Sequence, residues 1–323
     1  MLRNQSVLTG LIRSTVAACA TLALVAPASA AISIVNDNFI SGGRDYPAAP
    51  VYSEMGVDAN LNGAIESAWY RGGSGTLTVS NPNPGVTPGT LVGTVESTSA
   101  SWSTYFTPEA AKVNLLNAGD FVRVTWQFSM QNINASNTSQ GFRLALVNSP
   151  VGTRLTDENV LGTPPSGAYT GYALFLNIGQ TTGRSTPFQL LERTAASGDL
   201  LGTSGNWGNA VNAPGFGNGA AGYTNGATYT LVWELTRTVA NELSVVATMT
   251  GAGLNGTGSV SVSTVDASPS SFTYDLLGLR PGSASLSAET FNTSLFKVEV
   301  IPEPAGLGLL AIGGIALLRR RHA

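Results

Sequence analysis

The chain has 323 residues with a formal net charge of −3 at pH 7, and it contains 1 cysteine and 1 histidine. These are Cys19 and His322, so the body between them lacks the usual zinc and copper ligands, internal disulfides, and Ser–His or Cys–His nucleophile pairs. Residues 31–301 carry 11 basic and 18 acidic side chains with no block of basic residues. This pattern excludes nucleic acid as a partner, because phosphate binding needs clustered Lys and Arg.

The first 30 residues have the three parts of a secretory signal peptide. Two arginines supply positive charge, residues 16–25 form a short apolar region, and Ala28-Ser29-Ala30 fits the small-residue cleavage pattern. We predict cleavage after Ala30 and export through the secretion machinery. Residues 16–19 also resemble a lipoprotein cleavage box that would lipidate Cys19, but too few uncharged residues precede it to form an apolar region.

A candidate calcium loop follows in the body. Residues 58–63 read Asp-Ala-Asn-Leu-Asn-Gly, which places oxygen ligands at Asp58, Asn60 and Asn62 and a glycine at the sixth position, as an EF-hand loop requires. Glu66 falls at the ninth position, where a water-mediated ligand is usual, but Trp69 occupies the twelfth, where a bidentate glutamate belongs. Turns rich in Asn, Asp and Gly produce the same pattern. A plain loop and a Ca²⁺ site therefore both stay open, and the sequence indicates no other cofactor.

The body has the pattern of an all-β domain. Apolar and polar residues alternate along 120–130 and 229–237 and again after Ala240-Asn241, which predicts a hairpin over 228–250. Further strands are predicted at 76–80, 102–106, 141–147, 170–178, 188–193, 271–279 and 291–300. Strands with one apolar face predict that residues 31–300 form two antiparallel sheets packed face to face as a β-sandwich.

The carboxylates of the body do not show the pair that a glycoside hydrolase needs. Such enzymes hold two carboxyl groups about 5–10 Å apart across a cleft. Asp157 and Glu158 are neighbours, and adjacent side chains on an extended chain point to opposite sides. Glu234 stands alone on the polar face of its predicted strand, where a solvated residue is the ordinary interpretation. We predict that the chain is not an enzyme and keep a secreted glycosidase as the weakest hypothesis.

Residues 202–227 form a glycine-rich stretch that contains three aromatic residues with asparagines close by. Trp207 lies in Asn-Trp-Gly-Asn, Phe216 in Gly-Phe-Gly-Asn and Tyr223 in Gly-Tyr-Thr-Asn. Aromatic faces and asparagine amides bind sugar rings through stacking and paired hydrogen bonds. The three aromatic residues are therefore candidate glycan-binding residues. The alternative is a glycine-rich loop whose aromatic side chains pack back on the sheet.

The last 23 residues, 301–323, have three parts in a fixed order. Pro302-Glu303-Pro304 stays extended because proline fixes φ and lacks an amide proton. The apolar run 305–318 follows, and Arg319, Arg320 and Arg321 then resist crossing a bilayer and stay on the cytoplasmic side. As a helix, the run would span about 21 Å, against about 30 Å of hydrocarbon. It is short for a permanent anchor, which favours a transient membrane stop, and a buried core helix fits its glycines and terminal charges poorly.

This tail resembles the PEP-CTERM protein-sorting signal of Gram-negative bacteria. The resemblance covers residues 301–323 only, and Ile301 stands where the family commonly has valine. It implies that Pro302, Glu303 and Pro304 are the recognition site of an exosortase, a membrane transpeptidase-like enzyme. It also implies an intermediate tethered to the inner membrane through the C-terminal helix, and a final location at the cell surface or outside the cell, in a host that makes exopolysaccharide.

The body resembles the lectin-like and laminin-G-like jelly rolls that PEP-CTERM proteins often carry. The similar pieces are Ala68-Trp69-Tyr70, the predicted strand 122–128 and Thr170-Gly171-Tyr172. Taken together, these features favour an exported, structural surface or matrix protein associated with exopolysaccharide. The alternative is a lectin-like carbohydrate-binding module.

Overall fold

A computed structural model describes residues 30–44, 58–96, 100–155, 166–195, 198–202, 204–282 and 284–301. Several predictions fall outside the described residues: most of the signal peptide, including Ala28, the carboxylates Asp157 and Glu158, and the tail with Pro302, Glu303, Pro304, Arg319, Arg320 and Arg321. Within the described ranges, no helix has the length and apolar character needed to cross a bilayer.

The described residues form β-strands and four short 3₁₀ turns. The strands are β1 (Ile32–Asp37), β2 (Tyr70–Gly72), β3 (Leu77–Ser80), β4 (Thr90–Thr94), β5 (Ser101–Tyr105), β6 (Val113–Asn114), β7 (Phe121–Gln131), β8 (Ser136–Asn137), β9 (Phe142–Asn148), β10 (Thr170–Leu176), β11 (Thr181–Thr182), β12 (Phe188–Arg193), β13 (Trp207–Asn212), β14 (Thr228–Val239), β15 (Glu242–Gly251), β16 (Ser259–Asp266), β17 (Thr273–Tyr274), β18 (Leu276–Arg280) and β19 (Thr290–Val300). The 3₁₀ turns are Glu109–Ala111, Ser166–Ala168, Leu254–Gly256 and Ala284–Leu286.

Two large antiparallel sheets contain most of these strands. Sheet A has the order β16-β15-β14-β7-β19-β4-β3, with β1 also paired to β19, and sheet B has the order β13-β12-β10-β9-β18-β5-β2. The chain passes repeatedly between the sheets, as from β7 to β9 and from β18 to β19, which is the interleaving of a jelly roll. The predicted two-sheet antiparallel β-sandwich is confirmed.

Sheet A follows the alternation that the sequence predicts. Every second residue of β7 is fully buried, and the intervening residues are partly exposed; the buried set is Val122, Val124, Trp126, Phe128 and Met130. The predicted hairpin over 228–250 is also present, with β14 paired to β15 on one side and to β7 on the other. One face of sheet A therefore packs on the core and the other meets solvent.

Aromatic rings join the two sheets at the centre of the core. Trp126 of sheet A stacks on Phe128 with 3.8 Å between ring centroids and on Phe142 of sheet B with 5.9 Å. Its indole N–H donates to Thr293 Oγ1 at 2.9 Å, which satisfies the only polar atom of a ring that is fully buried. This cluster packs the inner faces of the two sheets against each other.

The strands of sheet B inside its edge strand β13 are largely buried on both faces, which corrects the prediction of one-sided strands. Six of the seven residues of β10 are buried. Tyr172 and Leu174 face the inner core, whereas Ala173 and Phe175 belong to a second hydrophobic cluster on the outer side. The residues outside strands that complete this outer cluster include Leu155, Tyr169, Leu200 and Leu201. Segments outside the strands therefore cover the outer face of sheet B.

Two further predictions are corrected by the strand boundaries. The predicted strand 271–279 is divided at Asp275, because β17 pairs with β6 whereas β18 pairs with β9 and β5. The stretch 202–227 is not entirely loop, since β13 (Trp207–Asn212) extends sheet B beside β12 with a register shift between Leu190 and Glu192.

Candidate functional site

A polar cleft lies at one rim of the sandwich, where edge strand β16 of sheet A meets β12 and β13 of sheet B. The cleft has a volume of about 160 Å³. Its polar lining consists of Tyr172, Glu192, Asn209, Thr264 and Asp266. We call it the rim cleft. It brings together two carboxylates, an amide and hydroxyl groups, which are the groups that bind polyhydroxylated ligands.

Hydrogen bonds fix the orientation of both carboxylates in the rim cleft. Tyr172 donates its hydroxyl to Asp266 Oδ2 at 2.6 Å, and this bond links sheet B to sheet A. Asn209 Nδ2 donates to Glu192 Oε2 at 2.8 Å, while the backbone N–H of Ser270 donates to Oε1 at 3.1 Å. Each carboxylate oxygen can accept more than one hydrogen bond, so capacity remains for hydroxyl donors of a ligand.

Local backbone geometry positions Asn209. This residue has φ of 51°, in the left-handed region that asparagine tolerates better than most residues. It lies within the register shift between β12 and β13, between the paired residues Gly208 and Val211, and such bulges commonly re-aim a side chain. The result is an amide that reaches across to Glu192.

The phenol of the rim cleft stays protonated at neutral pH. Burial raises the pKa of Tyr172 well above its ordinary value, and nearby Tyr274, the hydrogen bond to Asp266 and the charges of Asp266 and Glu192 raise it further. Tyr172 is therefore a neutral hydroxyl donor, fixed on one carboxylate.

The three aromatic residues predicted to bind glycan do not form a stacking surface. Trp207, Phe216 and Tyr223 are only 6%, 4% and 1% exposed. Trp207 packs edge-on against Phe175 and donates its indole N–H to Leu200 O at 3.0 Å. That prediction is wrong for these rings, because the covered face of sheet B and the inner core bury them. The same stretch does supply Asn209 to the rim cleft.

The predicted calcium loop folds around Asp58. Asp58 Oδ1 accepts the backbone N–H of Asn62 at 3.0 Å, and Oδ2 accepts that of Gly63 at 2.6 Å. Asn60 Oδ1 lies 3.2 Å from the same N–H of Asn62. Gly63 has φ of +85°, which suits the sharp turn at the sixth position.

Glu66 binds the backbone at the start of this loop. Its Oε2 accepts the backbone N–H of Ala59 at 2.9 Å, and the residue is 1% exposed. Among the described residues, no group of three or more His, Cys, Asp and Glu side chains is placed to hold a metal. The side chains of the loop that carry oxygen atoms are two carboxylates, Asp58 and Glu66, and two amides, Asn60 and Asn62.

A buried carboxylate lies directly behind the loop. Asp37, at the end of β1, accepts hydrogen bonds from the backbone N–H of Phe39 at 2.7 Å and from the N–H and hydroxyl of Ser67 at 3.1 and 2.8 Å. Burial raises the pKa of Asp37 to about 7; the three hydrogen bonds oppose this shift, and the charge of Glu66 adds to it.

A second buried charge lies on the covered side of sheet B. Asp275 pairs with Arg154 at 2.7 Å and with Lys112 at 3.5 Å. Its two oxygens also accept the backbone N–H and the hydroxyl of Ser149 at 2.8 and 2.6 Å. This network holds the segment after β9 over the sheet, and none of its side chains lines the rim cleft, which points to a structural role.

Comparisons with known proteins identify no family. No model of a known protein family matches the chain, and a search of the curated proteins found no match. Solved structures similar to the chain include the exoplasmic/lumenal domain of VIP36 in its Ca²⁺/Man3GlcNAc-bound form, with 13% identity, a TM-score of 0.39 and coverage of 71% of this chain and 82% of that one.

Two other similar structures come from a plant and a bacteriophage. The Lotus tetragonolobus seed lectin is 11% identical with a TM-score of 0.39, covering 74% of this chain and 100% of that one. A carbohydrate esterase of Shiga toxin-encoding bacteriophage phi24B is 14% identical with a TM-score of 0.37, covering 84% and 100%. At these scores neither function nor ligand transfers to this chain, and its β-sandwich is established by its own two sheets.

Proposed function

We propose that this protein is an exported, non-enzymatic surface or matrix protein, sorted through its tail and associated with exopolysaccharide. The observation that carries the proposal is the order of Pro302-Glu303-Pro304, the apolar run 305–318 and the arginines 319–321 directly after the last strand. This order suits a chain that the secretion machinery exports, that pauses in the inner membrane, and that an exosortase then processes.

The geometry of the two ends of the body supports this proposal. β1 pairs with β19, and Ile32 lies opposite Val300. The predicted cleavage site after Ala30 and the start of the tail at Ile301 therefore lead away from the same place on the sandwich. A body tethered at one point leaves its remaining surface open to the matrix.

Replacing Pro302, Glu303 and Pro304 by alanine is expected to abolish delivery to the cell surface, because the exosortase loses its recognition site. The measurement is the amount of protein in surface, culture-medium and inner-membrane fractions of the host. Ile301→Val is the matched control and should be delivered like the natural chain. Normal delivery of the triple variant would contradict the proposal.

The rim cleft favours carbohydrate binding as a second function. Each of its carboxylates is oriented by its own donors, and Asn209, which is exposed, adds an amide group to the lining. Sugars are recognised by such acceptor and donor pairs on hydroxyl groups. In this proposal the body binds exopolysaccharide of the host directly.

Glu192→Gln and Asn209→Ala are each expected to weaken saturable binding to host exopolysaccharide at least tenfold, measured by co-sedimentation. Loss of one or two hydrogen bonds to a ligand accounts for a change of about this size. Glu234→Gln, on the outer face of sheet A, is the matched control. Unchanged binding by both cleft variants would contradict the assignment. Release of reducing ends, lost in Glu192→Gln, would indicate a glycosidase instead.

A further inference from the structure

We propose that loop 58–66 is a Ca²⁺ site whose side-chain ligands are Asp58, Asn60, Asn62 and Glu66. This inference is independent of the sorting proposal and of carbohydrate binding at the rim cleft. It is carried by the placement of the oxygen atoms and by one buried oxygen of Glu66.

The oxygens of the first two ligands converge. Asp58 Oδ1 and Asn60 Oδ1 lie 3.0 and 3.2 Å from a single backbone nitrogen, that of Asn62. The amide nitrogens of Asn60 and Asn62 both donate to Asn36 O, at 3.1 and 3.2 Å, which fixes both amides through β1. With the nitrogens committed to β1, Asn60 Oδ1 faces the N–H of Asn62 and Asn62 Oδ1 accepts the N–H of Ala64 at 2.9 Å, so both amide oxygens lie on the loop.

Glu66 provides the independent observation. Its carboxylate is directed at the loop by the bond from Ala59 N–H to Oε2, yet Oε1 is buried and has no hydrogen-bond partner among the described residues. A buried carboxylate oxygen without a partner is costly. A cation between the two carboxylates would satisfy Oε1 and offset their repulsion.

The ligand chemistry favours Ca²⁺ over other metals. All donors are oxygen atoms, two of them on neutral amides, and the glycine sits where an EF-hand loop turns. Mg²⁺ demands stricter octahedral geometry and gives up its water reluctantly. With only two carboxylates, we expect a weak site with a Kd of about 10⁻⁴–10⁻³ M, as in extracellular modules.

The test is calorimetric titration of the chelator-treated full-length chain in mild detergent with CaCl₂, and separately with MgCl₂. We expect one Ca²⁺ bound per chain, no Mg²⁺ binding below 10 mM, and a melting temperature that rises by about 3–5 °C in 10 mM Ca²⁺. Asp58→Asn and Glu66→Gln should each weaken Ca²⁺ binding at least tenfold, whereas Glu96→Gln, an exposed carboxylate after β4, should not.

Asn60→Ala gives a second measurement if Glu66→Gln fails to fold, since Asn60 is only partly buried. It should also weaken binding at least tenfold while retaining the near-ultraviolet circular dichroism of the natural chain. Absence of Ca²⁺ binding up to 10 mM, or natural affinity in both Asp58→Asn and Asn60→Ala, would overturn the proposal. Sorting would be unaffected by either result, so failure here is distinguishable from failure of the proposed function.

Discussion

Replacing Asp275 by alanine is expected to lower the free energy of unfolding by about 3–5 kcal/mol. The substitution leaves Arg154 buried without its carboxylate and removes the acceptor of the Ser149 N–H and hydroxyl. Arg154 also lies over the ring of Tyr105, with its guanidinium carbon 4.3 Å from the ring centroid, so it cannot simply move into solvent. Removing one partner of a buried pair costs far more than the pair contributes to folding.

Denaturant unfolding followed by tryptophan fluorescence measures this change. The matched control is Glu234→Ala, which removes the carboxylate from the more exposed Arg123–Glu234 pair at 2.6 Å. That loss should cost less than about 1 kcal/mol, because solvent screens the exposed pair. Equal and small losses in both variants would show that Asp275 does not anchor the covering segment.

The second large effect is a dependence of stability on pH that arises from Asp37. Burial raises its pKa to about 7 in the folded chain, against about 3.9 when unfolded. Between these values the folded state binds more protons, so the free energy of unfolding falls as the pH rises from about 4 to about 7. The slope is about 1.4 kcal/mol per pH unit for one group, or about 4 kcal/mol over the whole window.

Asp37→Asn is expected to reduce this slope by about 1.4 kcal/mol per pH unit, the contribution of one proton. The measurement is denaturant unfolding at intervals from pH 4.5 to 7.5, in the presence of a chelator so that metal binding at the neighbouring loop does not contribute. Glu66 has a raised pKa as well and leaves a residual slope of the same sign in the variant. A variant with the same slope as the natural chain would show that Asp37 is ionised throughout this range.

The strands of sheet A are well predicted from the sequence because one face of this sheet is exposed to solvent. Strict alternation in β7, β14 and β15 marks each buried residue, and the turn at Ala240-Asn241 fixes the hairpin. Sheet B is harder to predict, since strands buried on both faces lose alternation and read as continuous apolar runs, as in β10. Nothing in the local pattern shows that Leu155, Tyr169 and Leu200 cover that sheet from distant segments.

The candidate sites show the same limit. Asp58, Asn60 and Asn62 are close in sequence, so their spacing is sufficient to predict a shared loop. Glu192 and Asp266 belong to different sheets and line the same cleft only because β12 and β16 come together at this rim. The prediction for the aromatic residues of 202–227 fails for a related reason. Composition is the same whether Trp207 faces solvent, where it could stack on a sugar, or is buried in the second hydrophobic cluster of sheet B, as it is here.

Taken together, the tail provides the basis for the proposed destination and the body for the proposed interactions. Because β1 pairs with β19, the two ends of the body, where processing is proposed, lie on one side of the sandwich. In these proposals the rim cleft and the loop 58–66 are separate features of an exported domain, and neither needs a histidine or cysteine, which the body lacks.

The most direct test of export is the intact mass and amino-terminal sequence of the protein recovered from the outer fractions of its host. The proposal predicts a chain that begins at Ala31, after cleavage behind Ala28-Ser29-Ala30, and that is found at the cell surface or in the medium. Recovery only from the cytoplasm, with residues 1–30 still attached, would contradict it.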